Sequence, residues 1–220
     1  MFKWALQKYA KHSYFLAIGL FYSQFASSAN INLVLEDQHG QKLSGAVVEI
    51  INASTHSAPK TLPLAVMDQV HKQFLPELLV VQQGQQVNFP NSDNIRHHVY
   101  SFSQAKPFQL RLYSGQPKEP IKFDQQGVVV LGCNIHDSMV GYIYVASSES
   151  VYKSDKKGLI SLTLDTLPAQ VSVWHPLQTA PLENKKIITI NSQKQLLVTV
   201  NTSSPAPRNT FGSKFKAGND

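Results

Sequence analysis

The segment Cys133-Asn134-Ile135-His136-Asp137-Ser138-Met139 sets a thiol, an imidazole and a thioether at every third position. It lies between two apolar runs, 128–131 and 140–145, and reads as a loop. A loop can wrap a point, so the three side chains can converge on one atom. Soft thiolate and thioether donors favour soft metals, and two imidazoles, one thiolate and a weak axial thioether form the donor set of a copper electron-transfer site. The second imidazole must come from elsewhere. The stretch Asn91-Ser92-Asp93-Asn94-Ile95-Arg96-His97-His98-Val99 offers it at the start of another extended run. Side chains alternate along a strand, so only one of His97 and His98 can point inward. His97 is favoured because Val99 then faces the core beside it, and His98 is the alternative. The candidate site is therefore His97, Cys133, His136 and Met139 around one copper ion, cycling between Cu(I) and Cu(II).

Each of these residues alone has an ordinary explanation: a surface histidine, a core methionine, an inert buried thiol. Their spacing argues otherwise, and so does the cysteine count. Cys133 is the single cysteine. The N-terminus reads as an export signal, with Lys3, Lys8 and Lys11 ahead of a mostly apolar run over 13–25 and small residues Ser27-Ser28-Ala29 at a cleavage site. The apolar run is short for a membrane span. An exported thiol without a disulfide partner is a liability unless something occupies it. Cleavage after Ala29 removes three lysines and no acid, taking the formal charge from +6 to +3. Arg208, Lys214, Lys216 and Asp220 in the tail carry a further +2 of that. The body is close to neutral, and nothing in it suggests the clustered basic face that nucleic acid requires. No stable membrane span is expected once the signal is removed.

The elements that must position the donors are strands. No long segment has a 3.6-residue apolar period, whereas short runs of Val, Ile, Leu, Phe and Tyr are divided by Gly, Pro, Asn and Asp, the pattern of an all-β chain. Strands are predicted over 31–35, 46–51, 78–81, 87–89, 97–102, 108–113, 121–123, 128–131, 140–145, 159–164, 171–174, 187–190 and 196–200. The Gln82-Gln83-Gly84-Gln85 stretch predicts a hairpin between its flanking strands. The run 128–131 is continuously apolar and is expected to be covered on both faces. Residues 146–152 read as a linker and 201–220, rich in polar residues, Pro and Gly, as a disordered tail.

On these residues the chain resembles the cupredoxins, the plastocyanin- and amicyanin-like blue copper proteins. The C-x-x-H-x-x-M spacing is similar to that of amicyanin-like members, and His97-His98-Val99 resembles their H-N-V triplet, whose first histidine ligates copper. Gly84-(x)2-Val87-(x)-Phe89-(x)-Asn91 and Phe123-Asp124-Gln125-Gln126-Gly127 are similar to the family's approaches to its ligands. The resemblance covers about residues 68–146. It implies a Greek-key cupredoxin β-sandwich with His97, Cys133 and His136 as equatorial ligands and Met139 as axial ligand. A second resemblance lies outside it. Residues 31–51, with Glu36-Asp37-(x)2-Gly40-(x)2-Leu43-(x)-Gly45-Ala46-Val47-Val48, and later Ser154-Asp155-Lys156-Lys157-Gly158-Leu159 and Leu167-Pro168-Ala169, resemble carboxypeptidase-regulatory-like β-sandwiches, which are non-catalytic. The pairing of the two resembles the methylamine-utilisation-like proteins.

These readings give an organisation: signal peptide 1–29, N-terminal strands 30–58, cupredoxin domain 59–147, a small second β-sandwich module 148–200, and tail 201–220. Two arrangements of 30–58 stay open. Either it belongs to the second module, so that Leu33 and Val48 pack near Leu162, Val173 and Val198, or it opens the cupredoxin, so that they pack near Val87, Val129 and Ile143. Four protein ligands close a coordination sphere, which suits electron transfer rather than catalysis. The expected function is a periplasmic one-electron carrier, not an enzyme, with a redox protein partner such as a cytochrome c or a periplasmic dehydrogenase. The alternative is a periplasmic copper-binding or copper-handling protein with no dedicated redox partner.

Overall fold

A computed structural model describes residues 28–51, 61–191 and 194–203. The signal-peptide reading, apart from Ser28 and Ala29, and nearly all of the tail fall outside them. Among the described residues every regular element is a strand, and no helix is long and apolar enough to cross a membrane. The chain opens with β1 (Ala29–Glu36) and β2 (Val47–Ile51). The middle carries β3 (Ala65–Val66), β4 (Asp68–Val70), β5 (Gln73–Leu75), β6 (Leu78–Gln82), β7 (Gln85–Asn88), β8 (His97–Ser101) and β9 (Phe108–Tyr113). It continues with β10 (Ile121–Phe123), β11 (Gly127–Gly132) and β12 (Val140–Ala146). The last part holds β13 (Val151–Lys153), β14 (Leu159–Leu164), β15 (Ala169–Trp174), β16 (Lys186–Ile190) and β17 (Gln195–Thr199).

The candidate ligands lie at the ends of strands, or in the loop between two of them, in one five-stranded sheet, ordered β6-β12-β11-β8-β9, next to a three-stranded sheet β10-β7-β3. Inward-facing residues of both sheets, among them Val81, Val87, Phe89, Val99, Phe123, Val129, Leu131, Ile143 and Val145, form one buried cluster that also contains Cys133 and Met139. The arrangement is all-β and consistent with a cupredoxin-like Greek-key sandwich. The hairpin expected at Gln82–Gln85 does not form. β6 pairs parallel with β12, and β7 pairs with β10 and β3, so the turn carries the chain from one sheet to the other. Gly84, at φ +87°, donates its N–H to the Phe123 carbonyl rather than closing a ladder with β6. The sequence signal was a turn. Partner choice was decided by which strands could bury Val81 and Val87 on facing sheets.

β1 lies between β14 and β17, and β2 between β13 and β15. Leu33 and Val48 share a buried cluster with Leu162, Val173 and Val198, while Val87, Val129 and Ile143 belong to the other cluster. The stretch 146–152, read as a linker, ends in β13, which pairs with β2. A third cluster joins the two groups of sheets: Val47 and Trp174 meet Leu78, Val128, Tyr144 and Ala146. This explains why the 128–131 run is apolar throughout. Val129 and Leu131 fill the core near the site, Val128 is covered by the joining cluster, and Val130 is only half-buried. A buried carboxylate lies in the same joint. Glu49 accepts hydrogen bonds from the Tyr144 hydroxyl at 2.7 Å, the Ser147 amide at 2.6 Å and the Ser148 amide at 2.8 Å, with Lys185 Nζ at 3.0 Å.

Candidate metal centre

Cys133 follows β11 directly, and Met139 immediately precedes β12. These strands pair antiparallel from Gly127↔Val145 to Gly132↔Val140, so their pairing closes the 133–139 loop at its base. Within the loop the Met139 N–H donates to the His136 carbonyl at 2.9 Å. Gly132 leaves room for a ring at the end of β11: a Cβ there would lie 2.6 Å from Cζ of Tyr100 on the neighbouring strand. β8 supplies the remaining histidine. The β8–β9 register shifts between His97, opposite Tyr113, and Val99, opposite Leu110, so β9 carries one extra residue at this point.

His97 and Val99 are fully buried. Nδ1 of His97 faces Cys133 Sγ at 3.7 Å, and its ring centroid is 5.2 Å from that of His136. One donor atom from each of His97, Cys133 and His136 lies within 4.8 Å of the others, and this is the one such cluster of His, Cys, Asp or Glu found among the described residues. Met139 is 1% exposed and packs in the same apolar cluster as Cys133. His98 is also buried but lies outside the cluster of donors. Its Nε2 is 2.7 Å from Gln109 Nε2, and its ring rests against Tyr100.

The donors fit a metal. Cys133 is a free, buried thiol. His136 is half-exposed as a residue, yet its Nδ1 is buried with no hydrogen-bond partner. Leaving a buried nitrogen unsatisfied costs about 1–3 kcal/mol, and a coordinated ion would remove that cost. Burial, helped by the charges of His97 and Lys72 and opposed by Asp93, pulls the His136 pKa below the ordinary histidine value. The neutral imidazole is the form that binds metal.

Two residues support the site through side-chain roles that the sequence did not assign. Asn91, 3% exposed, donates through Nδ2 to the Ile95 and Tyr113 carbonyls and accepts the Asp93 N–H at Oδ1, so it braces the stretch leading to His97. Asp93 places Oδ2 2.7 Å from His97 Nε2. Burial works to raise its pKa, but the Lys72 amide, the His97 ring and the His71 amide outweigh it, and the carboxyl sits below its ordinary value. In the sequence, Asp93 falls in a turn-forming stretch, and no local pattern announces partners 21 and 22 residues away. Tyr113, opposite His97, has its hydroxyl pushed up to about 12, chiefly by burial. Elsewhere, His175 is a structural histidine, its Nε2 3.2 Å from the Ser44 carbonyl and its Nδ1 accepting the Leu177 N–H.

Among solved structures the chain is similar to a copper-containing nitrite reductase from Thermus scotoductus, at 26% identity over 44% of this chain and with a TM-score of 0.37. The chain spans a quarter of that enzyme's length. It is similar to a purple cupredoxin from Nitrosopumilus maritimus, at 20% identity over 37% of this chain and 97% of that one, with a TM-score of 0.32. It is also similar to a pseudoazurin from Hyphomicrobium denitrificans, at 20% identity over 38% of this chain and 75% of that one, with a TM-score of 0.33. No protein-family model and no curated protein sequence matches it.

Proposed function

We propose that this chain is a type 1 copper protein that carries single electrons. The observation that supports the reading is the convergence of His97 Nδ1, the Cys133 thiol and His136 in a buried cluster at the end of a sandwich. His97, Cys133 and His136 would hold the ion, with Met139 as the weak axial donor. Copper held this way supplies a one-electron couple between Cu(I) and Cu(II). The chain's own residues supply rigidity and exclude water. Strand pairing fixes the ends of the 133–139 loop, Asn91 fixes the approach to His97, and Val99, Leu131 and Phe89 keep the core beside the cysteine dry. Rigid, pre-formed donors need little rearrangement when an electron arrives or leaves. His136 is the half-exposed member of the set, so it links the buried donors to the surface.

Localisation in the periplasm follows the export-signal reading of residues 1–29. The partner in this reading is a redox protein such as a cytochrome c or a periplasmic dehydrogenase. We also propose that the copper sandwich is inserted in a small second β-sandwich built from both flanks of the chain. The antiparallel pairing of β1 with β14 and of β2 with β13 and β15 supports this, as does their common buried cluster. Stopped-flow mixing of the reduced copper-loaded protein with ferricytochrome c tests the carrier role. Second-order oxidation that is fast compared with copper loss is the expected result. Copper release without electron exchange would favour the copper-handling alternative.

A further inference from the structure

The turn joining β4 to β5 is unusual. It has two central residues, His71 and Lys72, and both have positive φ, at 52° and 60°. Two-residue hairpins of this kind normally carry Asn-Gly, because a Cβ is disfavoured in the left-handed region. The two amides of this turn find a single acceptor group. His71 N–H donates to Asp93 Oδ1 at 2.6 Å, and Lys72 N–H to Oδ2 at 2.9 Å. Oδ2 is also the atom 2.7 Å from His97 Nε2. A second carboxylate ties the same two segments: Asp68 accepts from Ser92 Oγ at 2.7 Å. One carboxylate thus binds a strained turn on one side and, on the other, the imidazole whose Nδ1 faces Cys133.

Resting on the reading of His97 as a copper ligand, we propose that Asp93 is a positioning residue that makes the His71–Lys72 turn part of the metal site. The two amides hold the carboxylate by both oxygens, so it cannot rotate away from the ring. An acceptor fixed at Nε2 keeps the proton there and leaves the Nδ1 lone pair free for metal. A carboxylate that accepts the N–H of a ligand histidine also makes the ligand more basic. The more highly charged Cu(II) gains more from a basic ligand than Cu(I), so Asp93 holds the reduction potential down.

The test compares the full chain with Asp93→Ala and Asp93→Asn, without metal and with copper. In metal-free wild type, 15N NMR should find His97 as the Nε2–H tautomer and slow hydrogen exchange at the His71 and Lys72 amides. Asp93→Ala should give mixed tautomers and fast exchange at both amides. Its Cu(II) affinity should fall about 10–100-fold, the usual loss for such a partner, with a smaller loss for Cu(I). Each tenfold difference between the two raises a one-electron potential by about 59 mV. Asp93→Asn can still accept the ring N–H, so it should restore the tautomer but not the Cu(II) affinity. It also carries the test if the alanine variant does not fold. An unchanged tautomer and unchanged Cu(II) affinity in both variants, or equal loss for both oxidation states, would overturn the inference. A wild type that binds no copper through Cys133 refutes the copper reading instead. The role of Asp93 is then decided by the metal-free tautomer and exchange, which support it if they change in Asp93→Ala and overturn it if they do not.

Discussion

Gly132 sits one residue before the buried thiol, and its missing side chain is where the Tyr100 ring lies. A Cβ at 2.6 Å from Cζ must push the ring or bend the end of β11. Gly132→Ala is expected to cost about 1–3 kcal/mol, the range for overpacking, measured by urea unfolding of the metal-free protein. The same displacement should alter the visible spectrum of the copper form, because Cys133 is bonded to the residue that moves. Met139→Leu nearly conserves volume at a buried position, so it should cost less than about 1.5 kcal/mol. It should keep the thiolate-to-copper absorption and raise the potential, since the axial bond is weak. Cyclic voltammetry of the variant checks this. The every-third-residue spacing of Cys133, His136 and Met139 was legible because its residues are neighbours in sequence. The roles of Asn91 and Asp93 were not, because each also needs partners on other elements: the Tyr113 carbonyl for Asn91, and the His71 and Lys72 amides for Asp93. Alternation and the likeness to the H-N-V triplet ranked His97 above His98, and the extra residue in β9 is a feature that alternation does not reveal.

Strand existence was legible where apolar alternation ran for several residues. The predicted 159–164 strand has the same bounds as β14, whose burial alternates strictly along its length. β13, three residues long, was read as linker because so short a run has no period. Strand pairing was less legible. The expected hairpin failed because a glycine turn fixes a reversal of direction, while partners are chosen by which core each face can bury. Nor did the sequence mark Glu49, in the middle of an apolar strand, as the residue joining two groups of sheets. Burial raises its pKa, but hydrogen bonds from Tyr144 and Ser147 and the Lys185 charge bring it below the ordinary value. A carboxyl whose folded pKa is depressed stabilises the fold above its unfolded pKa, about 4.3 for glutamate. That contribution is lost as pH falls from there through the folded value. Glu49→Ala removes the buried partner of a half-buried ion pair, leaves the Tyr144 hydroxyl without its acceptor, and should cost about 3 kcal/mol near neutral pH. Glu49→Gln should flatten the loss of stability below about pH 4.3, as read from urea midpoints across the acid range. An acid limb as steep as wild type in Glu49→Gln would show that other carboxyls set it.

For the whole molecule, the choice between two homes for the N-terminal strands could not be made from residues 30–58 alone, because two strands suit either core. Pairing across more than a hundred residues resolves their neighbours: Leu33 opposite Ile160, and Val48 opposite Val173. If both flanks build one sandwich, neither folds without the other. Removing residues 151–203 should leave β1 and β2 without most of their partners and open residues 28–51 to protease within minutes, while intact protein resists. It should also uncover Val128, Leu78 and Tyr144, so the shortened chain should aggregate more readily. Protection of residues 28–51 in the shortened chain would argue for the other arrangement.

The central claim is that Cys133 binds copper as a thiolate together with His97 and His136. Its most direct test is to add one equivalent of Cu(II) to purified protein and record the visible and electron paramagnetic resonance spectra, alongside Cys133→Ser. The account predicts an intense thiolate-to-Cu(II) band and a single copper signal in the wild type. In Cys133→Ser the band should disappear while the far-ultraviolet circular dichroism of the β-fold stays unchanged. A wild type with no such band, or a band of equal strength in Cys133→Ser, would contradict it.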